Sequence, residues 1–266
     1  MSSIVTISNK PDMPKIFFGV PIRNRSWILP EYLKGFLSLN YPKSLITAFF
    51  LVNDSEDDTL IQLVDFKTKY KDRYNGIYIT NQVWGMPEGD RNSITIRLYS
   101  HYAKLKNYVK EKFKESGCNY WLQIDSDSPC KPDTLEKLLR HRKEYVCGIC
   151  NVSRQEKQLS NVMTLQGAEI IRATFEELKA VPAGQLFEAE WVGGIALIKW
   201  SVAISCEYKV IDPRRDDTFG FCQDIKMLGK KVFVDPEVEL KHYMSKKEYL
   251  KDENKNKRYY DNENMV

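Results

Sequence analysis

Asp125 and Asp127 stand one residue apart at the end of the apolar run YWLQID, directly ahead of the helix-like stretch PCKPDTLEKLL. In extended chain, residues i and i+2 point to the same side, so both carboxylates can face one spot just beyond the strand. Two like charges that close raise one pKa unless a cation sits beside them. A hard divalent ion, Mg2+ or Mn2+, bound by one or two carboxylates together with substrate phosphates, meets that need. The same residues have a plainer use, because Asp127 or Ser128 could cap the helix that follows.

Three further groups carry chemistry. In VNDSEDDT (52–59), Asp54 ends another apolar run and could accept hydrogen bonds from a base N–H or ribose hydroxyls; turn and capping chemistry accounts for the same residues. In RLYSHYAKLKNYV (97–109), Arg97, His101, Lys104 and Asn107, with Lys110 just beyond, fall near one helix face. Such basic groups could neutralise a diphosphate, or the face is simply solvated. In RRDDTFGFCQDIKMLGKK, Asp216 and Asp217 precede a helix start and Asp224 lies two turns on. They suit capping and the helix dipole, and equally a carboxylate general base. His242, after VEL, is either a surface residue at a strand end or a metal ligand. LGKK lacks the glycine spacing of a phosphate loop.

The elements that must position these groups alternate. KIFFGVPI (15–22), LITAFFLVND (45–54), GIYIT (76–80), YWLQID (120–125) and YVCGICNV (145–152) read as strands, separated by helical patterns over 28–40, 57–74, 93–115 and 132–142. That alternation implies βαβ crossovers and a mainly parallel sheet with helices on both faces. Ligands bind such sheets at the carboxyl ends of the strands, which puts Pro21, Asn53, Asp54 and Asp125 along one edge. The second half differs: 161–175 and 186–200 read as longer strands with no helix between them. A helix over about 219–229 follows, then KKVFVD and VELKH as two closing strands. We expect one continuous domain over 1–243, with a nucleotide-binding half (15–152) and an acceptor half (153–243), and a polar tail over 244–266.

The 266 residues suffice for a sizeable core, and 42% hydrophobic with 29% charged residues describe an ordinary soluble globular chain. A net charge of +4, with both signs interleaved, gives no argument for nucleic acid. The N-terminus lacks the apolar core of a signal peptide, and no apolar run approaches a membrane span. The expectation is a cytoplasmic protein or one held peripherally at a membrane. Of six cysteines only Cys147 and Cys150 form a Cys-x-x-Cys pair, too few for a zinc ribbon, so buried thiols are expected.

In order and spacing, FFGVPIRNR, LVNDSEDDT, AKLKN, WLQIDSDSPCKPDTLEKLL, EWVGGIALIKW and DDTFGFCQDIKMLGKKVFVDPEVELKH resemble the nucleotide-sugar glycosyltransferases of the GT-A fold, close to broad family two. AKLKN is also similar to a helix of mannan-polymerase-type relatives. The resemblance spans residues 15–243 and implies a Rossmann-like central sheet with a smaller acceptor-side sheet. It implies that Pro21, Arg23, Asp54 and the helix from Arg97 through Lys104 to Asn107 surround the nucleotide of a UDP- or GDP-sugar. Asp125, Ser126 and Asp127 would be the Asp-x-Asp motif, Asp127 the more direct ligand of diphosphate-bound Mn2+ or Mg2+, and His242 would complete the metal site. Trp191, Gly193 and Gly194 would line the acceptor side. One departure concerns the acidic pair usual four or five residues before the helix cysteine, here Cys222: those places hold Asp217 and Thr218, with Asp216 just before. The base therefore lies among Asp216, Asp217 and Asp224, Asp217 first.

The implied activity is hexosyltransferase-like: displacement at the anomeric carbon, with the acceptor hydroxyl attacking from the face opposite the diphosphate and inverting the centre. A dehalogenase-type phosphohydrolase would carry its Asp-x-Asp on the first strand. A sugar nucleotidyltransferase would want a glycine-rich loop after that strand, and PIRNRSW has none. A non-catalytic nucleotide-sugar-binding module draws support only from the irregular acids at 216–218. The acceptor class stays open among glycan, lipid-linked glycan, protein and modified nucleic acid.

Overall fold

The computed structural model describes residues 13–85, 96–153 and 158–253. In chain order the elements are β1 (Ile16–Ile22), α1 (Leu29–Ser38), β2 (Ile46–Asn53), α2 (Thr59–Tyr70), β3 (Gly76–Gln82), α3 (Ile96–Glu115), β4 (Tyr120–Ile124), α4 (Thr134–Arg140) and β5 (Tyr145–Cys150). The second half holds β6 (Val162–Gln166), β7 (Glu169–Arg172), α5 (Phe175–Lys179), β8 (Phe187–Ala189), β9 (Trp191–Val192), β10 (Ile195–Lys199), α6 (Trp200–Ala203), α7 (Asp217–Met227) and β11 (Val232–Leu240).

Eight strands form one sheet in the order β3-β2-β1-β4-β10-β5-β11-β8, and β7-β6-β9 form a small antiparallel sheet. Neighbours β3, β2, β1 and β4 run parallel, as do β5 and β11. β10 enters antiparallel between β4 and β5, and β8 closes the far edge antiparallel. Continuous apolar runs such as ITAFFLVN become fully buried strands because helices cover both faces. Along β1, Ile16, Phe18, Val20 and Ile22 pack with Tyr32 and Phe36 of α1, Phe66 of α2 and Leu135 of α4. Phe17 faces the other way, into a core with Val109 and Phe113 of α3 and Phe221 of α7. Gly19 lets α3 approach closely: a Cβ there would lie 2.8 Å from Val109 Cγ1.

The second half departs from the expected long strands. Residues 161–175 form a hairpin turned at Gly167 (φ 62°), then enter α5, where Thr174 and Glu177 make a reciprocal capping box. Residues 186–200 divide into three short strands in different places, and the two closing strands are one, β11, whose register shifts between Val234 and Glu239. Pro236 lies within that shift, where its missing N–H breaks the ladder. α7 begins at Asp217, earlier than the apolar spacing suggests, because the Asp216 side chain caps it. All six cysteines are buried and unpaired. Among the described residues no helix is long and apolar enough to cross a membrane.

Candidate active site

The carboxyl ends of β1, β2, β4, β5 and β11 share one edge, and the antiparallel β10 brings its start, after Gly193 and Gly194, to the same edge. Asp125 follows β4 directly, and its backbone N–H donates to Gly194 O at 2.8 Å. A tight turn, Ser128 N to Asp125 O at 2.9 Å, then presents the buried Ser126 and Asp127. Asp127 is 7% exposed and both its oxygens are engaged. Arg25 Nη2 lies 2.7 Å from Oδ2, and His242 Nε2 lies 3.2 Å from Oδ1. The capping use does not hold. α4 starts only at Thr134, and Asp133 is its cap residue.

Electrostatics separates the two acids. Burial works against charge on Asp127, but the His242 hydrogen bond and the Arg25 guanidinium outweigh it and hold the carboxyl below its usual range. Burial likewise opposes charge on His242, yet Asp127 pushes it up to about 11. His242 Nδ1 is buried with no hydrogen-bond partner. Asp125 goes the other way: burial lifts it to about 6 although Lys106 opposes the shift. A Cβ on Gly194, whose φ is 91°, would sit 3.3 Å from Asp125 Oδ2, so this glycine keeps the carboxylate's flank open.

Opposite lies the head of α7. Asp216 Oδ1 accepts from Thr218 N and Phe219 N, both at 3.1 Å. Burial raises the Asp216 carboxyl against the pull of Lys106. Asp217, 2% exposed, pairs with Lys106 Nζ at 2.9 Å, and the same ammonium donates to Thr218 Oγ1 at 3.2 Å. Burial disfavours charge on Lys106, but Asp217, Asp125 and Asp216 together hold it above the ordinary lysine range. Gly193 packs against Thr218, whose Oγ1 a Cβ would meet at 3.0 Å. Trp191 meets Phe219 edge-on, and Arg215 lies over both rings. Asp224 does not join them. Lys209 Nζ at 2.7 Å and Glu207 N at 3.1 Å take its two oxygens, so it anchors the 207–209 segment.

The expected nucleotide group is partly gathered. Pro21 lies in β1 opposite Leu51, and Arg23 Nε donates to Asp54 O at 3.2 Å. Asp54, at φ 46°, accepts from Trp84 N and Gly85 N through Oδ1. His101 is buried near Asp54, Lys104 and Arg23, its pKa lowered by burial, with Nε2 unpartnered. Lys104 is exposed. Arg97 falls in the first turn of α3, its side chain outside the described residues. The Asn107 amide exchanges two hydrogen bonds with the Tyr208 backbone, at 2.8 and 3.0 Å, and so clamps that segment to α3. Lys110, donating to Cys206 O at 2.9 Å, holds the same segment.

Two residues that sequence reasoning passed over sit at the centre. Lys106 belongs to AKLKN, a quoted motif, but reading one helix face favoured Lys104 and Asn107. Arg25 lies two residues past the chosen Arg23. Its loop is fastened to the β2–α2 turn: Arg25 N donates to Thr59 Oγ1 at 2.8 Å and Ser26 N to Asp57 Oδ2 at 2.9 Å.

Asp127 and His242, with Asp125 close by, supply hard oxygen and imidazole donors of the kind Mn2+ and Mg2+ accept. Among the described residues no three His, Cys, Asp or Glu side chains form a metal-holding group. The pair of Asp127 and His242 would suit a cation whose remaining positions are filled by substrate phosphates.

Comparison with known proteins agrees with this geometry. The chain is 26% identical over 147 residues to the mannan polymerase II complex ANP1 subunit of Saccharomyces cerevisiae, covering 50% of this chain and 29% of that protein. It is 21% identical over 212 residues to procollagen galactosyltransferase 1-A of Xenopus laevis, covering 78% of this chain and 35% of that protein. The chain thus spans about a third of the length of these relatives. Among solved structures, the mannosyltransferase PcManGT of Pyrobaculum calidifontis, in complex with GDP-Man and Mn2+, superposes with a TM-score of 0.58 at 14% identity, over 87% of this chain and 57% of that one. The fold is that of the GT-A glycosyltransferases. The Anp1 family model matches residues 4–166, more than half of the sequence, and the chain belongs to the Anp1 family.

Proposed function

We propose that this protein is a metal-dependent glycosyltransferase that moves a sugar from a UDP- or GDP-sugar to an acceptor hydroxyl with inversion. One observation carries the reading: His242 Nε2 lies 3.2 Å from Asp127 Oδ1 just past the carboxyl end of β4, with Asp125 two residues before Asp127 and within the electrostatic reach of the acid that opens α7. Asp127 and His242 would hold the cation, with Asp125 adding negative potential to the same corner, and the chemistry supplied there would be an offset to the charge that builds on the leaving diphosphate. Pro21, Arg23 and Asp54 border the nucleotide, while Trp191, Gly193 and Gly194 border the acceptor.

Asp217 takes the proton of the attacking hydroxyl. Asp216 spends Oδ1 on the helix cap, and both oxygens of Asp224 are taken, by Lys209 and by Glu207 N, whereas Asp217 sets Oδ2 against Lys106 and has Oδ1 left for the acceptor hydroxyl. Residues 15–152 serve the donor and 153–243 the acceptor within one catalytic unit.

The test is metal-dependent hydrolysis of a panel of nucleotide sugars, which needs no acceptor. Wild type should turn over one donor with Mn2+, and Asp127→Asn should lose that turnover by about a hundredfold or more while its circular dichroism is retained. Equal turnover in the variant refutes the metal role. Metal-dependent binding without turnover, with any donor or acceptor tried, refutes the enzyme and leaves the binding module.

A further inference from the structure

Arg25 and a divalent ion call on the same carboxylate. Asp127 has two oxygens; Oδ1 faces His242, and Oδ2 receives Arg25 at 2.7 Å. Both side chains of that pair are largely removed from water, 22% and 10% exposed, so the guanidinium charge is felt strongly by any cation seated on Asp127. The loop that carries Arg25 is fastened: its backbone N–H is held by Thr59, Asn24 N donates to Ser55 Oγ at 3.1 Å, Glu56 N donates to Asn24 Oδ1 at 2.9 Å, and the guanidinium lies 5.9 Å from the Trp27 ring. Arg25 Nε is buried without a hydrogen-bond partner, a donor left over inside the site.

We infer that Arg25 makes cation and diphosphate binding depend on each other: it opposes a bare cation at Asp127 and turns to favour one that arrives with a diphosphate. This rests on the reading of Asp127 as a cation ligand. The diphosphate brings the negative charge that Arg25 loses when Asp127 is shared, and its oxygens match the fork of guanidinium donors, Nε included. Among the described residues no third protein ligand stands with Asp127 and His242, which acts in the same direction, because without phosphate the cation has few donors. Linkage then requires the reciprocal effect, so the cation tightens nucleotide binding by the same factor.

The experiment titrates Mn2+ into the full chain, following free Mn2+ by electron paramagnetic resonance, alone and with saturating UDP or GDP. Wild type should bind Mn2+ at least about tenfold tighter with one of the two nucleotides. Arg25→Gln should bind Mn2+ alone about tenfold tighter than wild type and lose most of the enhancement by nucleotide, while Arg25→Lys, which keeps the charge but not the fork, should bind Mn2+ alone as wild type does and retain only part of the enhancement. Absence of enhancement in wild type overturns the inference without any variant, as does an Arg25→Gln protein that binds Mn2+ alone no tighter. Asp127→Asn separates the levels. If it binds Mn2+ with nucleotide as wild type does, the cation-ligand reading falls and the inference with it. If it loses Mn2+ while Arg25→Gln leaves the coupling intact, the inference falls by itself.

Discussion

Removing the Lys106 ammonium strands a carboxylate that has no other cation in contact. Lys106 Nζ is 2.9 Å from Asp217 Oδ2, and the two side chains are 15% and 3% exposed. Breaking a buried ion pair from one side costs about 3–5 kcal/mol, because the remaining charge stays desolvated. Lys106→Met should therefore cost about 3–4 kcal/mol. Asp217→Asn should cost less, about 1–2 kcal/mol, because Lys106 retains the attraction of Asp125 and Asp216. The double variant should recover about 2 kcal/mol relative to the sum of the singles. Urea unfolding followed by the fluorescence of the five tryptophans measures all four corners of the cycle. Effects that add within about 0.5 kcal/mol refute the pairing, and a larger loss for Asp217→Asn than for Lys106→Met refutes the three-acid account of Lys106.

Two further outcomes test the other side of the site. Burial raises Asp125 to about 6, so the folded protein holds that proton more tightly than the unfolded chain, and the resulting stability is present below the usual carboxylate range and lost as pH rises through 6. Asp125→Asn should gain about 1–2 kcal/mol over wild type near pH 8 and almost none near pH 4, read by thermal melts; an equal gain at both refutes the burial account. Gly194→Ala combines a positive φ with a contact 3.3 Å from Asp125 Oδ2, and should cost about 1–3 kcal/mol in stability and weaken Mn2+-dependent binding of UDP or GDP, whichever wild type binds. A melt unchanged from wild type refutes the claim that the glycine is required.

The first half of the fold was readable because its strands are mostly apolar runs separated by segments with helical spacing. The Asp125–Asp127 edge followed from that order alone. The second half was harder: 186–200 is one largely apolar stretch in sequence, but it divides into three short strands with different partners, and pairing is decided by residues far away. Arg25 and Lys106 escaped for the same reason. Their counterions, Asp127 and Asp217, lie more than a hundred positions along the chain, and nothing local distinguishes Arg25 from Arg23 or Lys106 from Lys104. Asn107 shows the converse case: its motif suggests a ligand-facing amide, and the structure shows that amide bonded to the backbone of Tyr208, a partner about a hundred positions away.

The antiparallel strand wedged between β4 and β5 has a consequence for biosynthesis. Until residues 195–199 leave the ribosome, the inner edges of both strands present unpaired backbone amides and carbonyls flanked by Trp121, Leu122, Val146 and Cys147. The N-terminal portion that carries the aspartate pair is therefore not a self-sufficient folding unit. Truncated chains that stop before β10 should be prone to edge-to-edge association, and nascent chains pass through the same exposed interval before the sheet can close.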